Sequence, residues 1–211
     1  MSISVLFSAT RVFLLSGGFC ILGTVHFIRH GGAFSLKKQT SKDLLSLTLQ
    51  ELLICRSFEE ITVGDLLEAS GISRATFYKH FYGKEALLCF TADRMFDFDA
   101  AADDFFSLAQ RFLSTLDTQR RFMLRAVQVP AMQAHLAASL QSRLLALVAC
   151  HVSDEETAAF VARSLCAVYL QAGTTYLHAP QAHSLPRLCA CIRRAGEGML
   201  SAFRASQCIA V

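Results

Sequence analysis

The stretch from Ser73 to Phe81 carries the side chains whose types and spacing are best suited to chemistry. At helical spacing, Phe77 and Phe81 fall on one side. The other side mostly carries small or polar side chains, namely Arg74, Ala75, Thr76, Tyr78 and Lys79. An arginine can bond guanine O6 and N7, a threonine can bond a base or touch the thymine methyl group, and an alanine permits close approach. The pattern predicts a helix with one packing face and one face that fits the DNA major groove.

Neighbouring side chains are suited to phosphate oxygens, which fix the register of a protein on DNA without specifying sequence. These side chains are Thr62, Tyr78, His80 and Lys84. Thr62 would act from a helix N-terminus, where backbone N–H groups favour anions.

The charge around this stretch is locally basic. Between Ser70 and Lys84 there are three cations and no acidic side chain, whereas the whole chain carries a formal charge of only +3. A local basic footprint of this kind is typical of nucleic-acid binding. From spacing alone, the alternative is a solvated face on an ordinary helical hairpin.

Three short helices must position these side chains. The first should run from Lys42 to about Arg56, because a leucine stripe recurs at helical spacing, at Leu45, Leu49, Leu52 and Leu53. Thr62, with Asp65 three positions later, predicts the start of a second helix, which ends near Ala69 at a turn formed by Ser70 and Gly71. Ser73 then caps the third helix.

The rest of the chain also reads as helical. A linker helix should open at Lys84 and fray between Asp97 and Asp104, and we find no strand signal or internal repeat. Weak helix boundaries follow at Asp117–Thr118, Pro130, a capping box from Ser153 to Glu156, and Pro180–Pro186. The predicted fold is all-α: an N-terminal tri-helical helix-turn-helix DNA-binding domain, a linker helix and a C-terminal helical bundle.

The last two predicted helices are candidates for a subunit interface. Their apolar side chains are Phe160, Cys166, Val168, Leu170 and Tyr176 in the first, and Leu188, Ile192, Met199 and Phe203 in the second. From composition alone, both helices could equally form the interior of one bundle.

At this point the segment from Phe58 to Leu88 resembles the N-terminal domain of TetR-family regulators. The resemblance covers about residues 42–88 and rests on four marks: Ile61-Thr-Val63, Ala69-Ser-Gly-Ile-Ser73, Thr76-Phe-Tyr-Lys-His-Phe81 and Lys84-Glu-Ala-Leu-Leu88. The sequence departs from the family pattern at Arg56-Ser57, where glycine is common, and at Gly64, where a polar or basic side chain is frequent.

The resemblance implies specific roles. Arg74, Ala75 and Thr76 would face bases, and phosphates would be held by Thr62, Tyr78, His80 and Lys84. It also implies a homodimer on palindromic operator DNA, acting as a ligand-responsive repressor in the cytoplasm. An unknown small-molecule effector would bind the C-terminal helices and move the linker helix, which would lower operator affinity. Ligand-binding residues are not identifiable, because aromatic and Met side chains at Phe105, Phe106, Phe112, Met123, Met132, Phe160 and Tyr169 are more often plain core.

The N-terminal segment supports two interpretations. Val12 to Ile28 carries no formally charged side chain, which fits either a short membrane anchor or residues from an incorrect start outside the natural domain. We favour the second, and divide the chain into an extension at 1–34, a DNA-binding domain at 35–83 and an effector and dimerisation domain at 84–211. A chain that begins near Phe34 should therefore fold and bind DNA as well as the full chain.

Other function classes are less consistent with the sequence. The eight cysteines lack a C-x-x-C pair, so we expect no metal or other cofactor, and Cys189 and Cys191 are the best of weak candidates. No nucleophile or phosphate-binding motif indicates an enzyme. The alternative from a different class is a membrane-tethered helical protein-interaction module.

Overall fold

The computed structural model describes residues 40–98 and 104–209, together with Leu14–Leu15 and Gly18–Phe19. The chain divides into two compact units, Met1–Lys38 and Gln39–Val211. In the first unit, β1 (Leu14–Leu15) pairs antiparallel with β2 (Gly18–Phe19), a short ladder that the sequence analysis did not predict. Most of the stretch from Val12 to Ile28 lies outside the described residues, so neither interpretation of it is tested.

The second unit opens with the predicted tri-helical arrangement. Helix α1 spans Ser41–Cys55, α2 spans Val63–Ser70, α3 spans Arg74–His80 and α4 spans Lys84–Phe96. These bounds confirm the expected helices to within a residue or two. The α4 helix ends in a left-handed residue, Asp97, at φ 42°.

Five further helices complete the described residues: α5 (Phe105–Thr118), α6 (Arg120–Ala126), α7 (Pro130–Ala149), α8 (Glu155–His178) and α9 (Leu185–Ile209). The described part of this second unit is all-α, as predicted. Pro130 stands at the first position of α7, where its missing N–H costs nothing. The N-cap of α8 is Asp154 and not Ser153, because the Asp154 carboxylate accepts from the Thr157 N–H at 2.8 Å.

The α4 helix joins the two ends of this unit. It packs against α1 on the N-terminal side and against α5 and α7 on the C-terminal side. One continuous apolar core extends from Leu45 in α1 to Leu200 in α9. None of the helices in the described part of the chain combines the length and apolarity needed to cross a bilayer.

Candidate nucleic-acid interface

The α2 helix begins at a reciprocal capping box, which confirms the predicted N-cap at Thr62. The Thr62 hydroxyl oxygen accepts from the Asp65 N–H at 3.1 Å, and the Asp65 carboxylate accepts from the Thr62 N–H at 2.7 Å. The hydrogen bond from the Thr62 hydroxyl, with help from nearby Arg56, holds the pKa of Asp65 below its usual range despite partial burial. The Arg56 guanidinium lies 3.2 Å from the same carboxylate, which gives this departure from the family pattern a structural role.

The turn between α2 and α3 depends on glycine. Gly71 caps α2 at φ 68°, in the left-handed region that side chains with a Cβ disfavour. Two residues later, the Ser73 hydroxyl accepts from the Thr76 N–H at 3.2 Å and starts α3, as predicted. The left-handed Gly71 and the Ser73 cap together set the angle between α2 and α3.

The packing face of α3 is fixed by two aromatic rings. Phe77 is fully buried and Phe81 is 4% exposed, with their centroids 5.8 Å apart. Because the rings anchor one side of a short helix in the core, the opposite side must face solvent.

The side of α3 that we predict to meet DNA, called the base-contacting face below, carries Arg74, Ala75 and Thr76, for which we predict contacts with bases, together with Tyr78 and Lys79. Four of these five residues are exposed, and Thr76 is half-buried. Within the described residues, neither Arg74 nor Lys79 forms an ion pair, so both cations are available to DNA. The Tyr78 side chain is 49% exposed, and its ring lies edge-on to Phe77 at 5.3 Å.

Thr76 and His80 are less accessible than the rest of the predicted site. The Thr76 hydroxyl lies 2.9 Å from the Ser73 hydroxyl, so its hydrogen bonding is largely occupied by the cap. We therefore expect Thr76 to offer mainly its methyl group to a base. His80 is half-buried at the end of α3, with its ring edge-on to Phe81 at 6.4 Å.

The two remaining predicted phosphate contacts are engaged elsewhere. The Thr62 hydroxyl and N–H are both directed at Asp65. The Lys84 ammonium donates to the carbonyl oxygens of Phe58 at 2.7 Å, Ile61 at 2.9 Å and Glu59 at 3.4 Å. An ammonium group has three donors, and these three carbonyl oxygens occupy them in this structure, so Lys84 positions the loop before α2. Its contact with a phosphate stays a prediction.

One candidate residue was missed by the sequence analysis. Tyr82 follows Phe81, the C-cap of α3, and is 100% exposed. A phenolic hydroxyl in this place can donate to a phosphate oxygen. The sequence could have pointed to Tyr82 through its position directly after Phe81, the last aromatic core residue, where the helical pattern ends.

Comparison with known proteins identifies this arrangement. Residues 49–89 match the sequence profile of the bacterial regulatory proteins of the tetR family. Residues 49–89 are therefore similar to a TetR-family domain. The HTH-type transcriptional regulator EthR of Mycolicibacterium smegmatis is 54% identical over 41 residues, which cover 19% of this chain and 19% of that protein. The match therefore spans about a fifth of the relative's length and concerns the segment that matches the tetR family.

Solved structures extend the likeness of fold beyond the TetR-family domain. The dihydroxyacetone kinase operon activator DhaS aligns with a TM-score of 0.59 at 16% identity, over 76% of this chain and 96% of that one. A TetR transcriptional regulator from Rhodococcus sp. RHA1 gives a TM-score of 0.56 at 16% identity, over 75% and 96%. At this identity the comparison establishes a shared fold for most of the chain.

A cavity lies among the C-terminal helices. It has a volume of about 330 Å³ and is bounded by α5, α7, α8 and the connection between α6 and α7. Of the seven aromatic and Met residues considered in the sequence analysis, Phe112 lines it. Four others, Phe105, Met123, Met132 and Tyr169, are buried core, whereas Phe160 is 56% exposed.

Proposed function

We propose that the protein is a transcriptional regulator that binds palindromic operator DNA through the base-contacting face of α3. The observation that carries this proposal is the pair Arg74 and Lys79, two exposed cations that have no ion-pair partner among the described side chains. They lie on a helix whose other side is anchored in the core by Phe77 and Phe81. Arg74 stands in the first turn of α3, the part of a recognition helix that reaches base edges. Such a regulator would act in the cytoplasm, where its operator is.

Binding a palindrome requires two copies of the chain. The ends of α8 and α9 support a homodimer, because Phe160 is 56% exposed and its ring lies 6.4 Å from that of Phe203. Phe203 itself is half-buried, and exposed aromatic side chains such as Phe160 are enriched in protein–protein interfaces. Sedimentation equilibrium of the wild-type chain should show a dimer. Phe160→Asp should dissociate this dimer, whereas Gln110→Asp, at an exposed position on α5, should leave it intact. A wild-type monomer at micromolar concentration would contradict the dimer.

We further propose that the regulator is a repressor released by a small molecule. The support is the position of α4, which is tied to α7 by a 2.6 Å contact between Asp93 and His135 and to α5 by stacking of Phe96 on Phe112 at 5.5 Å. A ligand that rearranges α5 or α7 would therefore act on α4 and on the spacing of two recognition helices.

Whether the protein represses or activates transcription needs a separate test, since DhaS, one of the similar structures, is described as an operon activator. A reporter gene should be placed behind a promoter that contains a site bound by the protein. Expression of the wild-type chain should lower transcription, and Arg74→Ala should restore it. Higher transcription with the wild-type chain would make the protein an activator.

A further inference from the structure

The interior of the C-terminal cavity is apolar. Its wall consists of Phe112, Leu116, Val127, Leu136, Leu170, Gly173 and Leu177. At about 330 Å³ it lies at the small end of the range of known ligand pockets, roughly 300–1,000 Å³. A space of this size fits a small molecule and excludes a peptide or a helix.

The edge of the cavity is polar but carries no acidic, lysine or arginine side chain among the described lining residues. Its polar members are Gln128, Gln133, Thr174 and His178, all exposed. The Gln133 amide donates to the Val127 carbonyl at 2.6 Å, and the Thr174 hydroxyl donates to the Leu170 carbonyl at 2.9 Å. The Gln133 side-chain carbonyl oxygen and the Gln128 amide remain to meet a ligand.

Two charged side chains beside the lining residues are engaged by the protein itself. Arg120 donates from Nε and Nη2 to the Leu177 carbonyl at 3.1 and 2.8 Å. Asp117 accepts from the Tyr176 hydroxyl at 2.7 Å. A charged ligand group in the apolar interior would lose its hydration and would meet no acidic, lysine or arginine side chain among the described lining residues, which is strongly unfavourable.

From this lining we propose that the cavity binds a neutral, predominantly apolar small molecule, with one uncharged hydrogen-bonding group at the edge formed by Gln128 and Gln133. This inference rests on the proposed function, because it names the chemical class of the effector. The Phe112 ring belongs to the cavity wall and stacks on Phe96, the last residue of α4. Phe112 is thus the positioning residue through which a bound molecule acts on α4.

The test uses three probes with one chain length and different end groups: 1-octanol, octanoate and octylammonium. Calorimetric titration of the full chain should give 1-octanol at least about tenfold tighter binding than either ion, because each ion must be desolvated. Leu170→Phe, which fills the cavity, should weaken the binding of 1-octanol by about tenfold or more. Leu145→Phe, at an exposed position on α7, should leave this binding unchanged. Equal or tighter binding of an ion, or equal effects of the two Leu→Phe variants, would overturn the assignment.

A change of specificity gives an independent second test. Gln128→Lys places a cation at the edge and should raise the affinity for octanoate by about tenfold, while Gln128→Met should not. Circular dichroism checks that each variant folds. Unchanged octanoate binding in a folded Gln128→Lys variant would place the ligand elsewhere.

Operator affinity measured with each probe separates the two proposals. Binding of 1-octanol that weakens operator binding in wild type, but not in Phe112→Ala, supports the ligand class, the effector role and the part played by Phe112. Binding that leaves operator affinity unchanged supports the ligand class and contradicts the effector role. Intact operator binding with no affinity for 1-octanol overturns the ligand class and leaves DNA recognition standing.

Discussion

The ammonium of Lys84 lies 2.7 Å from the carbonyl oxygen of Phe58 and 4.5 Å from the centroid of the same residue's ring. The first residue of α4 is therefore bonded to the loop that leads into α2, across 26 positions of sequence. This contact fixes the helix-turn-helix to the helix that would transmit a signal to it.

Lys84→Met should lower the free energy of unfolding, because backbone carbonyls lose a charged donor. Hydrogen bonds to charged groups are worth about 1.5–3 kcal/mol. The salt dependence of operator binding should not change, since the ammonium donates to carbonyl oxygens of the chain itself. Chemical denaturation and fluorescence anisotropy at several salt concentrations measure the two effects.

Lys79→Met is the matched control for this prediction, because Lys79 is exposed on α3 and forms no ion pair among the described side chains. It should leave stability unchanged and reduce the slope of log K against log salt by about 1. If Lys84→Met behaved like Lys79→Met, Lys84 would hold a phosphate after all.

The sequence predicted the caps of the recognition unit correctly because these signals are local. Thr62, Gly71 and Ser73 act on backbone groups two to four residues away, within the reach of a pattern. The role of Lys84 could not be predicted in this way, since its acceptors lie in a loop that only the folded chain brings near. For the same reason, periodicity could not separate Phe112, which lines the cavity, from Tyr169, which is core.

Gly64 and Gly71 should respond in opposite directions to the same substitution. Gly71→Ala should lower the free energy of unfolding by about 1 kcal/mol, because φ 68° is unfavourable for alanine. Gly64→Ala should raise the free energy of unfolding by about 0.5–1 kcal/mol, because Gly64 lies within α2, where alanine is the better helix former. There is room for the added Cβ, since the nearest atom, the Thr62 hydroxyl oxygen, would lie 3.4 Å from it. Urea denaturation measures the free energy of unfolding of both variants. If Gly64→Ala were destabilising, Gly64 would not lie within a helix as described.

Asp65 should give the α2 cap a pH dependence. Its pKa is lowered in the folded protein, chiefly by the Thr62 hydroxyl, so the ionised carboxylate stabilises the fold. That stabilisation is complete above the unfolded-state pKa of about 4 and is lost as pH falls through the lower folded-state value. Wild type should be about 1 kcal/mol more stable than Asp65→Asn at pH 7, and the difference should be smaller at pH 3.

Glu68→Gln controls for a general effect of removing a negative charge from α2. Glu68 is exposed and bonded to no partner among the described side chains, so its neutralisation should leave the unfolding midpoint unchanged at both pH values. A gap between wild type and Asp65→Asn that stays constant from pH 7 to pH 3 would show that the carboxylate charge is not responsible.

Gly173 allows α5 and α8 to approach closely beside the cavity. A Cβ there would lie 2.8 Å from Leu116 Cδ1 and 2.9 Å from Phe112 Cε1, so Gly173→Ala must displace both side chains. We expect a loss of about 1–3 kcal/mol in thermal or chemical unfolding. Gly198→Ala in α9, where a Cβ meets nothing within 4 Å, should be neutral or stabilising. Equal effects of the two would contradict the close packing.

The most direct test of DNA recognition is selection of bound sites from a pool of random double-stranded DNA. The wild-type chain should enrich a palindromic sequence, and a double variant, Arg74→Ala with Tyr78→Ala, should enrich none. Arg163→Ala, exposed on α8, should enrich the same palindrome as wild type. Enrichment of that palindrome by the double variant, or no enriched sequence with the wild-type chain, would contradict operator recognition through α3.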